Sequence, residues 1–574
     1  MEKKTIVFTV VAVGLILGLM LLQPMMQSPV ANTPLALSTP QPTPTPVPYD
    51  APMAVTEKPD SDGFKTLEIS TKVLKVRFSE RGGDIVSLKL LEHKDKGEPV
   101  EMILSPDKDP RAAILYFGYG KGSRPNNDRM EGKILEGEGA TIVEFSGTYA
   151  AAGGKPFDLI KRYTFPRNEY LFKLELIFDG GDSIPSFALN GFSYTLQTSQ
   201  QIGPQADRID GNYEYRHFLS YSTASGFKGI DPNKNDFPAD VSWAAVTGKY
   251  FAMILKPGFT RNASGSENFV RGYAYEFANY KTSYGMPIST LTIARPELTS
   301  NRTEDSYYMY VGPKTAGVLS AYNDQGANYF GRGGEKFEQV IEGGGWLGWL
   351  EDIFKFFLVF FYSLIPNYGV AIILLTILLR AILFPLTFKS SKSTRRMQEL
   401  NPKVNSLREK YKDDPKRLNA EIMELYRKEK ANPLSGCLPM LLQLPLFFAM
   451  YNLFNNHFDL RGAMFVPGWI PDLSVGDTVL SLGFQIPILG WSELRLLPFI
   501  YVGSQLLYSK FTQTPNASTG QMKFLTLGLP LIFFFILYNA PSGLVLYWIA
   551  SNALTIAQQA YINHLLKKKE GHND

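Results

Sequence analysis

The sequence predicts a multi-domain membrane protein: an N-terminal anchor helix, an all-β domain outside the membrane, and an α-helical membrane core of five spans that carries a cytoplasmic helical hairpin. Three observations lead there. Residues 5–22 are uncharged and almost wholly apolar, residues from about 55 to 335 alternate apolar and polar side chains in short runs, and residues 345–566 hold most of the remaining apolar stretches.

Composition narrows the chemistry. A chain of 574 residues has room for several domains, and its formal net charge of +4 says little until it is distributed along the chain. A single cysteine, Cys437, excludes an intrachain disulfide and a cysteine metal cluster. The five histidines (His93, His217, His457, His564, His572) lack ligand-like spacing, and no Walker loop, GxSxG elbow or HExxH occurs. No metal, no cofactor and no enzymatic activity are expected.

Taken in chain order, residues 1–23 form the first element. Lys3 and Lys4 precede an apolar run of 18 residues, longer than a signal-peptide core of roughly 7–15, and no A-x-A cleavage site follows. A retained transmembrane anchor with its N-terminus inside is the expectation. Residues 24–54 are a proline-rich linker (Pro34, Pro40, Pro42, Pro44, Pro46, Pro48, Pro52) suited to an extended tether. Residues 55–340 read as antiparallel strands, for example Lys65–Thr71, Val73–Phe78, Tyr170–Phe178 and Tyr250–Leu255, which make a large β-sandwich with a solvated outer face.

Residues 345–365 place Glu351, Asp352 and Lys355 opposite Trp346 and Trp349, the pattern of an amphipathic helix lying in the membrane interface. Pro366 ends it. Five spans are expected at 367–388, 435–454, 494–510, 523–539 and 542–566. Basic residues orient them: thirteen Lys or Arg lie between Phe388 and Pro433, whereas Asn455–Pro498 holds only Arg461 and Arg495. With the anchor running inside to outside, six spans put the basic segments and both termini in the cytoplasm and residues 24–345 outside.

The basic segment 389–433 has its own periodicity. Val404, Leu407 and Tyr411, then Leu418, Ile422, Leu425 and Tyr426, recur at helical spacing on either side of Asp413-Asp414-Pro415. They predict an antiparallel hairpin, either a solvated topology signal or a docking or gating element for a nascent chain or ribosome.

The candidate site is built around Arg380. A cation at mid-membrane costs roughly 2.5–3.5 kcal/mol and marks a functional position by default. The interiors of the five spans contain no Asp or Glu to pair with it, which favours a hydrated cavity. Other polar side chains reach the same depth: Thr376 one turn earlier, Gln443, Ser504, Gln505, and the stripe Ser551, Thr555 and Gln558 with Asn552 beside it. Bridging between helices is the plainer reading of several of these. Two spans also look short, Leu496–Ser509 and Phe524–Tyr538, which would thin the bilayer around them.

Leu379–Leu386, the hairpin, Asn432–Leu446 and Pro541–Asn552 closely resemble the YidC-type membrane protein insertases, and the long outer domain resembles their Gram-negative bacterial form. The resemblance covers essentially the whole chain. It implies a bacterial inner-membrane location, a periplasmic β-supersandwich similar to sugar-binding and mutarotase sandwiches, and a hydrophilic groove closed to the outside and open to cytoplasm and lipid. Arg380 matches the arginine at the groove's centre; Thr376 and the residues around Tyr547 and Trp548 match positions that meet the nascent chain. Family members often carry tyrosine where Trp548 stands, so the aromatic is kept and the hydroxyl is not. Implied partners are nascent membrane proteins, the Sec translocon, the ribosome, the signal-recognition-particle receptor and membrane lipids, with no direct DNA binding. Only eight residues follow Leu566, so the ribosome-binding extension of some relatives is not expected.

Two rival readings remain at this stage. A membrane-anchored periplasmic sugar-binding or mutarotase-like protein would need paired His and acidic residues in the β-domain, where only His93 and His217 occur. A small-molecule anion transporter using Arg380 would be expected to show internal repeats, and none is evident.

Overall fold

A computed structural model of the chain describes residues 51–55, 63–95, 97–120, 122–151, 154–205, 214–281, 287–341, 347–412, 414–429, 438–484, 486, 489, 491–512 and 528–570. The anchor expected at 1–23 and most of the linker at 24–54 lie outside these residues. The described residues fall into two units, 51–341 and 347–570.

In the first unit the alternating runs become antiparallel strands. An 11-stranded sheet is centred on Phe157–Pro166, Leu171–Asp179, Arg302–Pro313 and Phe251–Asn262, hydrogen-bonded in that order. A five-stranded sheet contains Pro287–Pro296 and Phe192–Gln197, and a four-stranded sheet is built from Thr66–Ser70, Leu74–Ser79, Asp84–Asp95 and Glu98–Glu101. Leu171–Asp179 is buried at every position except Lys173 and Asp179, and Lys173 pairs with the buried Glu175 at 2.7 Å.

Two charged clusters are locked inside this unit. Lys161 Nζ donates to Asp84 Oδ1 at 2.6 Å and to the carbonyls of Gly82 and Ala113 at 2.9 and 2.8 Å, while Arg111 Nε donates to Asp84 Oδ2 at 2.9 Å. Asp305, on the large sheet, accepts from Arg295 Nε at 2.9 Å and from Tyr194 at 2.6 Å, both on the five-stranded sheet. The second cluster is a polar clasp between sheets, and its directional bonds fix their register.

The second unit is helical: α1 Gly348–Leu364, α2 Tyr368–Glu399, α3 Asn401–Lys410, α4 Pro415–Lys428, α5 Leu438–Asn456, α6 Leu497–Thr512, α7 Leu529–Leu537 and α8 Ser542–Glu570. Its core gathers Phe354 and Leu358 of α1, Ile372 and Leu375 of α2, Met450 and Phe454 of α5, Tyr501 of α6 and Leu544 of α8. Among the described residues one helical stretch, Tyr368–Ser393, is long and apolar enough to cross a membrane by length and composition. α6, with 16 residues, spans about 24 Å against a hydrocarbon core of ~30 Å.

α2 runs on past residue 388 to Glu399, since nothing between Lys389 and Glu399 breaks a helix; Pro385 is accommodated inside it. Asp414 caps α4 by accepting from the Arg417 N–H at 3.1 Å, and Lys403 of α3 pairs with Glu429, just beyond α4, at 2.8 Å. Val404 is buried, whereas Leu407, Tyr411, Leu418, Ile422, Leu425 and Tyr426 are half-buried. The Arg417 guanidinium lies 5.3 Å from the Tyr411 ring centre.

Candidate functional site

α8 is the hub of the polar side chains. Ser551 and Asn552 are consecutive, so they point about 100° apart around the helix and reach different neighbours. Ser551 Oγ accepts from Arg380 Nη2 of α2. Asn552 Nδ2 donates to Ser504 Oγ and to Gln505 Oε1 of α6, both at 2.9 Å. Below this level the α2–α8 seam continues: Gln558 Nε2 donates to the Arg380 carbonyl at 3.1 Å, and Ser391 Oγ to Gln559 Oε1 at 3.0 Å.

The hydroxyls of Thr376 and Thr555 are occupied within their own helices, donating to the Ile372 and Ser551 carbonyls, each at 2.7 Å. Both threonines are buried. Tyr547, one turn before Ser551, is buried against Phe454, with ring centres 6.2 Å apart. Trp548 sits among Phe447, Tyr501 and Phe533 at ring separations of 5.0, 5.2 and 5.1 Å, so its ring welds α5, α6, α7 and α8 together. Gln443 is exposed on α5. The structure therefore makes two polar sets on α8, Arg380 with Ser551 and Tyr547, and Asn552 with Ser504 and Gln505, while Thr376 and Thr555 are turned back on their own helices and Trp548 is packed among aromatic rings.

The electrostatics are one-sided. α5, α6 and α7 contain no Asp or Glu, α2 none before Glu399, and α8 none before Glu570. Among the described residues the Arg380 guanidinium donates to the Ser551 hydroxyl, interacts with the side chains of Tyr547 and Tyr508, and has no ion pair.

Two family descriptions match this chain: "YidC periplasmic domain" over residues 66–357 and "60Kd inner membrane protein" over residues 360–570. The chain is 41% identical over 529 residues to the membrane protein insertase YidC of Treponema denticola, covering 88% of this chain and 87% of that protein. It is 36% identical over 550 residues to the insertase YidC of Treponema pallidum, covering 88% and 86%. The chain belongs to the YidC family of membrane protein insertases. It is therefore an inner-membrane insertase, with a β-sandwich periplasmic-type domain of several sheets followed by a helical core. It is also similar to the crystal structure of an active YidC insertase with the first transmembrane domain resolved, at 17% identity and a TM-score of 0.32, covering 95% of this chain and 98% of that one.

The insertase core has a second polar constellation that sequence reasoning missed, where α6 begins and α7 ends. The buried Asp477 accepts from the backbone N–H groups of Leu496 and Leu497 at 2.8 and 3.0 Å and from Trp469 Nε1 at 3.0 Å. It caps α6 from twenty residues away and places a carboxylate on the positive end of the helix dipole. Arg495 Nη1 donates to the Tyr538 carbonyl just past α7 at 2.8 Å, and Nη2 to Glu493 at 3.0 Å. Gly476 permits this: a Cβ there would lie 2.1 Å from Arg495 Nη1. Ser542 and Gly543, at the start of α8, donate backbone N–H bonds to the Val475 and Leu473 carbonyls at 2.7 and 2.9 Å. One loop therefore ties three helix ends. The available signal was an acid, Asp477, in a loop with few charges; its target could not be read because the contact is non-local.

Proposed function

We infer that this insertase receives nascent membrane proteins from the cytoplasm into a hydrophilic groove beside α2, α6 and α8 and releases them sideways into lipid, alone or with the Sec translocon. The observation that carries this reading is Arg380: a guanidinium at span depth whose partner is a hydroxyl, so that water or a passing acidic group completes its solvation. Five core spans plus the N-terminal anchor, with both termini cytoplasmic and residues 24–345 periplasmic, agree with the distribution of basic residues. The loop binding the ends of α6, α7 and α8 then closes the groove on the periplasmic side. α3 and α4 act as an antiparallel cytoplasmic hairpin that docks the ribosome or the signal-recognition-particle receptor.

An incoming single-span client with an acidic N-terminal segment is held transiently by Arg380, then slides out as its apolar helix partitions into lipid. The short α6 lowers the barrier by thinning the bilayer. Hydrophobic partitioning and the membrane potential supply the driving force. The test is insertion of clients of graded N-terminal acidity into proteoliposomes without nucleotide, using Arg380→Ala and Arg380→Lys. Loss with Ala that grows with client acidity, and recovery with Lys, is the expected result. Unchanged insertion of the acidic clients by Arg380→Ala removes the electrostatic step.

A further inference from the structure

Between α5 and α6 lies a small β-hairpin whose surface does not suit water. Leu480–Ser481 pairs antiparallel with Glu493–Leu494, and the ladder is extended by Val479 N–H to the Leu494 carbonyl, Leu482 N–H to the Ser492 carbonyl and Ile486 N–H to the Trp491 carbonyl, at 2.9, 2.9 and 2.8 Å. From Thr478 to Ser492, fifteen residues carry no charged side chain and no histidine. Hairpins in water guard their edges with charges, especially lysine. This one instead exposes Val479, Leu480, Phe484, Leu489 and Leu494, with Phe484 at 63% and Leu480 at 55%.

The charges that flank the hairpin are turned inward. Asp477 is spent on α6, and Glu493 holds Arg495 at 3.0 Å and accepts from Thr478 Oγ1 at 3.1 Å. Trp491 stacks flat on Tyr538 with ring centres 3.5 Å apart, so the hairpin is anchored on the end of α7. Its apolar surface adjoins the exposed apolar residues at the start of α6, Leu496, Phe499 and Ile500. In an inner-membrane protein such a helix face meets lipid, and the hairpin prolongs it. Tryptophan and tyrosine at the helix end mark headgroup depth.

We propose that the hairpin built on Leu480–Ser481 and Glu493–Leu494 is a monotopic lipid anchor, lying in the periplasmic leaflet's interface with Leu480 and Phe484 among the upper acyl chains. The occupant of its apolar face is the bilayer, and the placement on the periplasmic side rests on the topology inferred above. The anchor fixes the depth of the loop that closes the groove. As the short α6 pulls the bilayer thin, a hairpin seated in the interface moves with the lipid surface rather than standing off it.

The test uses the full chain with Cys437→Ser and a single added cysteine, Phe484→Cys or Leu480→Cys, labelled with a fluorophore and placed one copy per nanodisc of phosphatidylethanolamine and phosphatidylglycerol. Ser266→Cys, in an exposed turn of the β-domain, is the reference. Expected is quenching by headgroup-proximal nitroxide lipid about threefold stronger at 484 than at 266, with iodide quenching correspondingly weaker. Equal iodide quenching at both positions overturns the anchor. So does iodide protection without lipid quenching, which is the signature of a protein occupant. Sidedness is read separately, by an impermeant thiol reagent on inverted vesicles: lipid quenching combined with labelling from the cytoplasmic side overturns the periplasmic placement and the topology beneath it, while lipid contact alone survives.

Discussion

Gln558 donates from Nε2 to the backbone carbonyl of Arg380, 3.1 Å away, so the residue bearing the isolated cation is bonded to α8 through its main chain as well as through its guanidinium. Gln558 Oε1 is buried and finds no hydrogen-bond partner among the described residues. An unmet buried acceptor on the same helix seam as a cation without an ion pair is the arrangement expected where water enters. In a dry seam, Ser551→Ala would strand the guanidinium and cost about 3 kcal/mol or more. In a hydrated groove water replaces the lost hydroxyl, and the cost falls to about 1 kcal/mol or less. The second outcome is predicted, with Gln558→Leu at a similar small cost. Unfolding measured in nanodiscs on both variants checks it, and a much larger loss for Ser551→Ala makes the seam dry.

Asp477→Ala should destabilise the helical unit by about 2–3 kcal/mol, because two backbone N–H groups at the start of α6 and the Trp469 indole lose their acceptor together. Asp477→Asn keeps one acceptor oxygen but not the charge that complements the helix dipole, so about half of that loss is expected. Thermal unfolding of the two variants in one detergent gives the ranking; equal stability of wild type and Asp477→Ala contradicts the capping role.

What the sequence made legible follows the range of the interactions. Strands such as Leu171–Asp179 and helices such as Ser542–Glu570 come from local periodicity, and the polar stripe Ser551, Thr555 and Gln558 from spacing along one helix. Periodicity does not say which hydroxyl turns outward. Ser551 meets Arg380, while Thr555 and Thr376 bond back to their own helices, the usual alternative for a hydroxyl in a helix interior. Trp548 was singled out through family resemblance; the structure gives it an aromatic box drawn from three other helices. The burial of Glu175 was also hidden, since strand pairing sets it between Arg162 and Ser306, the latter from a distant segment.

Glu351 of α1 accepts from Asn452 of α5 at 2.8 Å, and burial pushes its carboxyl up to about 7, with the neighbouring Asp352 adding to the shift. An acid whose pKa is raised on folding binds more protons in the folded state. Its contribution to stability is therefore complete below about 4.5 and is lost as pH rises through about 7. Glu351→Gln keeps the acceptor for Asn452 and removes the titration. The variant should be more stable than wild type at pH 8, by about 1 kcal/mol once partial solvent screening is allowed for, and indistinguishable at pH 4. A difference between the two that does not change with pH, in paired melts at these values, assigns Glu351 a purely hydrogen-bonding role.

The buried cluster of the β-domain holds one acid against two bases, and its response to substitution should be asymmetric. Asp84 is bonded to both Lys161 and Arg111, and burial pushes the Asp84 carboxyl up and the Lys161 amine down. Lys161→Met leaves a matched Asp84–Arg111 pair and frees two carbonyls, those of Gly82 and Ala113. Asp84→Ala leaves two buried cations with no counter-charge, which is the costlier defect at about 3–5 kcal/mol. Its pH dependence identifies the cause. With Asp84 gone, the Lys161 pKa falls further, so the folded state binds fewer protons than the unfolded one and stability rises with pH. Asp84→Ala should therefore be most damaging near pH 6 and partly recover near pH 9, where a neutral Lys161 amine is tolerated. Urea unfolding of the full chain, read by pulse proteolysis within residues 51–341, follows this directly. A loss equal at both pH values attributes the defect to the missing hydrogen bonds rather than to the stranded charge.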